Sequence, residues 1–148
     1  MTAAFPPVAE LVPQRPPMLL LDDVLAAGEH DITCSAVVRP DNLFAAANRV
    51  HASVVLEYMA QAIAAFAGLR ARAAGQPPAL GMIAACRNLE LHAEHLAVGD
   101  RLHVVATRVF TGAMAEYQAA VTRRGEPLAQ AVLHVVATAP ATTTGSPA

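Results

Sequence analysis

Tryptophan and lysine are absent from the 148 residues, and only two tyrosines and four phenylalanines occur. So few rings give no platform on which successive bases could stack. The ten basic residues, all arginine, are outnumbered by twelve acidic ones, and the net charge is −2. That balance gives no electrostatic footprint for nucleic acid, and none is expected as a partner. Charge of either sign is sparse, at 15% of residues, against 55% hydrophobic. A disordered chain shows the opposite balance, and the length suits one domain. Alanine fills 34 positions, so periodicity says more here than propensity.

Cysteine is equally scarce. Cys34 and Cys86 have neither metal-ligand nor disulfide-framework spacing, and both are expected as buried free thiols. Met1 to Pro7 lacks the basic and apolar regions of a signal peptide. The longest apolar stretch, Val54 to Leu69, contains Glu57 and Gln61 and falls short of the roughly 20 residues a bilayer span needs. A soluble, cytoplasmic protein without a membrane span is expected.

Five prolines break up the first 17 residues, leaving room for one helical turn over Val8 to Val12. Met18 to Ala26 is an apolar run of strand length, and Gly28 marks a turn. Asp31 to Arg39 alternates, with Ile32, Cys34, Ala36 and Val38 on one face. Period two with one wet face predicts an antiparallel strand. Pro40 to His51 has no period and reads as a loop. From about Ser53 to Ala74 the chain has no proline, is dominated by Ala, Leu and Met, and stops at Gly75, Pro77 and Pro78. This predicts a helix of roughly 30 Å, apolar almost all round and therefore buried. The remainder is strand-like: an irregular stretch Leu80 to Leu91, then Leu102 to Phe110, Ala115 to Thr122 and Leu128 to Thr138, with turns at Gly99–Asp100, Thr111–Gly112 and Arg124–Gly125. Residues 1–138 are expected as one domain and 139–148 as a disordered tail. One helix covered by one curved antiparallel sheet, an α+β arrangement, would satisfy both apolar surfaces.

Glu57 is the residue that most needs a reason. It sits in the first turns of an apolar helix, where an ionised carboxylate costs several kcal/mol unless it is paired or hydrogen-bonded. Gln61, four residues on, shares its face. Ala64, Ala65 and Gly68 leave room for close approach by another element. A positioned carboxylate suits general acid or base work; capping or ion-pairing at the helix start is the alternative. His51 lies just before the helix and could approach Glu57 of its own or a partner subunit, or be an ordinary loop histidine. His92 and His95, with Glu94 between them, are either a partial metal pair or a solvated loop; a site needs three or four ligands, and no metal is expected. No phosphate loop and no nucleophile elbow occur.

Taken together, LVPQRPPMLLLDDV (Leu11 to Val24), VVLEYMAQAIAAFAGL (Val54 to Leu69) and the strand series with AVGDRL (Ala97 to Leu102) resemble the hotdog-fold beta-hydroxyacyl-[acyl carrier protein] dehydratases, in particular their relatives from aryl polyene and polyketide-type clusters. The resemblance spans roughly residues 8 to 138. It implies a hotdog fold whose two protomers, in a homodimer or a heterodimer with a hotdog relative, pair their sheets edge to edge. It implies an active site at the subunit interface and an acyl carrier protein-bound thioester as substrate, with no cofactor. By resemblance the helix carboxylate is Glu57, and the amide beside it, Gln61, is a candidate substrate-binding residue. A loop histidine of the partner completes the pair: one group takes the C2 proton of a 3-hydroxyacyl thioester and the other protonates the leaving hydroxyl.

This chain departs from that pattern in the loop. Where the family carries a Gly-His-Phe-Pro-Gly run, an ungapped count places Asn42, Leu43, Phe44, Ala45 and Ala46. Leu43 stands at the histidine position and cannot transfer a proton; it and Phe44 are left as candidate substrate-binding residues. His51 is the candidate replacement. Gln14 stands where many relatives have a non-catalytic histidine. Three functions therefore remain open: an active dehydratase using Glu57 and His51, a thioesterase in which Glu57 activates water, and a non-catalytic subunit partnering an active dehydratase.

Overall fold

A computed structural model describes residues 4–78 and 80–138. The irregular stretch ahead of the first strand forms one turn of 3-10 helix, Val8–Glu10. The strands are β1 (Asp23–Ala27), β2 (Asp31–Val37), β3 (Ala45–Ala46), β4 (Arg49–His51), β5 (Leu80–Leu91), β6 (His95–Ala97), β7 (Arg101–Phe110), β8 (Ala115–Arg123) and β9 (Glu126–Thr138). A second 3-10 turn, Ala52–Val54, leads into the helix α1 (Val55–Ala73). Six strands form one sheet in the order β1-β2-β7-β8-β9-β5, every pair antiparallel. The three short strands form a second sheet, β3-β4-β6.

The alternation read in the sequence sets which face is wet. On β2, Ile32, Cys34 and Ala36 are buried, and on β8, Tyr117, Ala119 and Val121 are. These faces close over α1, which packs on β2, β7 and β8. The helix is about 28 Å long at 1.5 Å per residue over its 19 residues. No residue from Val54 to Leu69 is exposed. The segment Ala52–Ala73 is long and apolar enough to cross a membrane, with a mean hydropathy of 1.5; here it is the core helix inside the sheet. Its end is a Schellman motif. Gly75, at φ +65°, donates its N–H to Arg72 O at 3.2 Å, and Gln76 donates to Ala71 O at 2.8 Å.

Three expectations need correction. The run Met18 to Ala26 is a strand only from Asp23, because the groups that would pair Met18 and Leu20 are taken by a side chain of α1. The loop Pro40 to His51 holds a hairpin, β3-β4, turning at Ala47 (φ +53°) and Asn48 (φ +61°). Such a turn usually announces itself by Asn-Gly, and Ala-Asn gives no such signal. Cys34 is buried, and burial pushes its thiol up to about 12. Cys86 is exposed, because it lies on β5, which has a partner on one side only. The expected tail, 139–148, lies outside the described residues.

Candidate active site

Segment 11–20 runs antiparallel to α1 and is held to it at two places. At Gly68 the helix has no side chain, and a Cβ there would lie 2.3 Å from Leu11 O. This is the close approach that the small residues of the helix leave room for. At the other end Gln61, fully buried, donates from Nε2 to Met18 O at 2.7 Å and accepts at Oε1 from Leu20 N at 2.8 Å. The amide acts as a strand neighbour would, and it replaces sheet pairing for those residues. The second N–H of Nε2 goes to Glu57 Oε1 at 2.9 Å.

Glu57 is thus a half-buried carboxylate in the first turn of α1, aimed by an amide that is itself fixed by two main-chain bonds. Among the described residues the hydrogen bond to Glu57 is the one at Oε1. The i, i+4 spacing in the sequence puts these two side chains together; the main-chain groups of Met18 and Leu20 carry no residue-specific signal.

The neighbouring loop is anchored from below. Asn42, buried, accepts Phe44 N at Oδ1 (2.9 Å) and reaches the buried Tyr58 hydroxyl with a long 3.4 Å bond from Nδ2. Burial and the nearby charge of Asp22 push the Tyr58 phenol up to about 12. Asp22 in turn accepts Val37 N and pairs with Arg39. Leu43 and Phe44, by contrast, point outward, 54% and 44% exposed.

His51 ends β4 and caps the start of the helical segment. Its Nδ1 accepts Ser53 N at 3.1 Å, so the neutral ring carries its proton on Nε2. Across the small sheet it meets His95 edge to face, with centroids 5.8 Å apart. The group that hydrogen-bonds Glu57 within this chain is Gln61, not His51. His92 sits 3.9 Å from Glu90, and among the described residues no three metal-ligating side chains gather.

A cavity of about 540 Å³ opens between α1, segment 11–15, the β7–β8 turn and the edge of the large sheet. Its helical wall is Ala60, Ile63, Ala64 and Ala67. Ala60, Ala64 and Ala67 lie three, seven and ten residues beyond Glu57, hence on the same face. The cavity therefore runs along the helix from Ala60 onward, and neither Glu57 nor Gln61 is among the residues that line it. Its other walls are mostly apolar, Leu11, Leu80, Ile83 and Val135 among them.

One helix wrapped by a curved antiparallel sheet, with a carboxylate and an amide one turn apart at the helix start, is the arrangement of a hotdog protein. The sequence model of the ApeP-like family, described as ApeP dehydratase, matches residues 6–144, and the chain belongs to that family. No curated protein matches. Among solved structures, the dehydratase heterocomplex ApeI:P from Xenorhabdus doucetiae superposes with a TM-score of 0.86 at 20% identity, covering 91% of this chain and 93% of that one. A protein of Pyrococcus horikoshii, PH1136, gives 0.65 at 13% identity, with 92% and 97% covered. A hypothetical thioesterase of Streptococcus pneumoniae with coenzyme A gives 0.61 at 12% identity, with 78% and 87% covered.

Proposed function

We propose that the chain is a subunit of a dimeric dehydratase that converts a carrier-bound 3-hydroxyacyl thioester to the 2-enoyl thioester, with Glu57 as one of its two proton-transfer groups. The observation that carries this is the held carboxylate: Gln61 fixes Glu57 through main-chain bonds to Met18 and Leu20. Fixed geometry is what proton transfer to a bound substrate requires. In the reaction the C2–H and C3–O bonds break, a C2=C3 bond forms, and the hydroxyl leaves as water. One group takes the C2 proton and the other delivers a proton to the oxygen. The cavity that begins at Ala60, three residues beyond Glu57, takes the acyl chain.

With Leu43 in place of the family histidine, His51 is the imidazole left at the start of α1; as the imidazolium, with Nδ1–H turned to Ser53 Oγ at 2.9 Å, it can deliver its Nε2 proton and return to the neutral ring. It would act across the interface on a partner's Glu57. The edge strand β5 exposes Leu80, Met82, Ile83, Leu89 and Leu91; an apolar open edge of this kind calls for a partner strand. The ApeI:P neighbour is a complex of two different chains, which supports a hotdog relative as partner as readily as a second copy.

The test is dehydration of a 3-hydroxyacyl thioester by the assembled protein, followed by enoyl absorbance. Glu57→Gln is expected to lower the rate by at least about a hundredfold while leaving the fold intact. Release of free thiol instead of enoyl product would make the protein a thioesterase. Leu43 favours one second reading, a non-catalytic subunit of a mixed dehydratase. In that case Glu57→Gln leaves the rate of the complex unchanged.

A further inference from the structure

Arg108 stands where the fold has least use for a charge. On β7 the alternate residues Leu102, Val104 and Ala106 form the buried row that faces α1, and Arg108 continues that row at its end. Its side chain is half-buried, with Cζ 5.2 Å from the centre of the Phe66 ring. Arg70 comes to the same ring from the helix, with its Cζ 5.6 Å from the centre. Burial raises the Tyr117 phenol, and the charges of Arg108 and Arg70 both pull it back. The two cations therefore gather on one hydroxyl as well as on one ring.

An aromatic face accommodates a cation, but it does not neutralise two. Among the described residues the arginines paired with carboxylates are Arg39, Arg72 and Arg123. Neither Arg70 nor Arg108 has a carboxylate within 4.0 Å. The C-terminal end of α1 favours a cation, which gives a reason for Arg70 and none for Arg108, on a strand. Main-chain carbonyls hold both residues in place. Arg70 Nη1 donates to Glu29 O at 2.9 Å, and Arg108 N donates to His30 O at 2.7 Å. The β1–β2 turn thus fixes two guanidiniums and leaves their charge without an anion.

We propose that Arg70 and Arg108 form a binding site for a phosphoryl dianion. Two guanidinium forks match the oxygens of a phosphate, and its double negative charge balances the pair. Arg70 is exposed, so the ligand reaches the site from solvent. Arg70 lies thirteen residues beyond Glu57, about 20 Å along α1, and neither arginine lines the apolar cavity. The site is therefore separate from proton transfer at Glu57. The phosphoryl group comes either as free phosphate or on a small phosphate monoester.

The experiment follows the Tm of the assembled wild-type protein as inorganic phosphate or glycerol phosphate is added, against sodium chloride at equal ionic strength. The pH is held at about 7.5, where a monoester is mostly dianionic. A ligand that binds the folded chain raises Tm, and a rise with phosphate that chloride does not give is expected. A larger rise with glycerol phosphate assigns the site to an organic phosphate; a rise with inorganic phosphate at least as large assigns it to the free ion. Arg108→Met keeps an apolar stem over Phe66 and removes the charge, and Arg70→Gln changes an exposed side chain. Each is expected to weaken phosphate binding, read by calorimetry, by about tenfold or more. No rise beyond that of chloride in the wild type overturns the proposal, and that measurement needs no variant to fold. An affinity unchanged in either variant overturns it too, because the site needs both cations. Neither readout depends on whether the protein turns over a thioester.

Discussion

Gln61 is one side chain holding three groups: a carbonyl, an N–H and a carboxylate. Replacing it with leucine leaves Leu20 N and Met18 O buried or half-buried without partners, at a cost of about 1–3 kcal/mol each way they stay unpaired. Gln61→Leu is therefore expected to lower stability in urea unfolding and also to lower the rate, because Glu57 loses the donor that aims it. His51→Ala, by contrast, removes a cap on an exposed turn; if His51 moves the second proton, the rate falls by at least about a hundredfold, and an unchanged rate assigns that proton to the partner chain. The tyrosines supply a pH prediction. Tyr58 is pushed up to about 12 from an ordinary 10 and Tyr117 is raised too, in both cases chiefly by burial. Above pH 10 the unfolded chain loses phenolic protons that the folded chain keeps, so this contribution to stability is present below 10 and lost as pH rises towards 12. Tyrosinate absorbance should thus rise together with unfolding rather than before it. At this scale the sequence was most readable where burial made a residue type costly, as for Glu57. It misled on Cys86, expected to be buried, whose exposure depends on which strand happens to lie at an edge.

Among elements, the helix was legible because three signals agreed: an apolar run, no internal proline, and a glycine followed by prolines at the end. The strand β2 was legible because one of its faces is buried. β1 was overestimated because a glutamine 41 residues away supplies the hydrogen bonds that a strand neighbour would have supplied; no local pattern encodes that. The same contact region gives a prediction about packing. Alanine is a better helix former than glycine by about 1 kcal/mol, yet Gly68→Ala would set a methyl 2.3 Å from Leu11 O, a main-chain atom. The segment must then lift from the helix, and the variant is expected to be destabilised by about 1–3 kcal/mol, measurable as a fall in Tm.

For the whole molecule the open question is the partner. The large sheet ends in β1 on one side and β5 on the other, and β5 is exposed along nearly all its length. Met82, 63% exposed, lies well within it. If β5 is the seam between two hotdog chains, Met82→Arg should shift the assembled protein towards monomer in light scattering while leaving the circular dichroism of the chain unchanged. Alkylation of Cys86 should likewise slow on assembly. Unchanged mass and unchanged labelling would move the seam elsewhere. On the isolated chain Leu43, Phe44 and Met82 are exposed apolar side chains, and their local sequence does not encode what covers them.

The amide of Gln61 touches only main-chain atoms of Met18 and Leu20. Substitutions at those two positions can therefore accumulate, as far as their own side-chain packing tolerates them, without disturbing the aim of Glu57. Proline at position 20 is the exception, because it alone removes the N–H that the bolt requires. Lineages could rewrite this stretch almost freely and still keep the chemistry, so divergence there says little about whether the carboxylate still works.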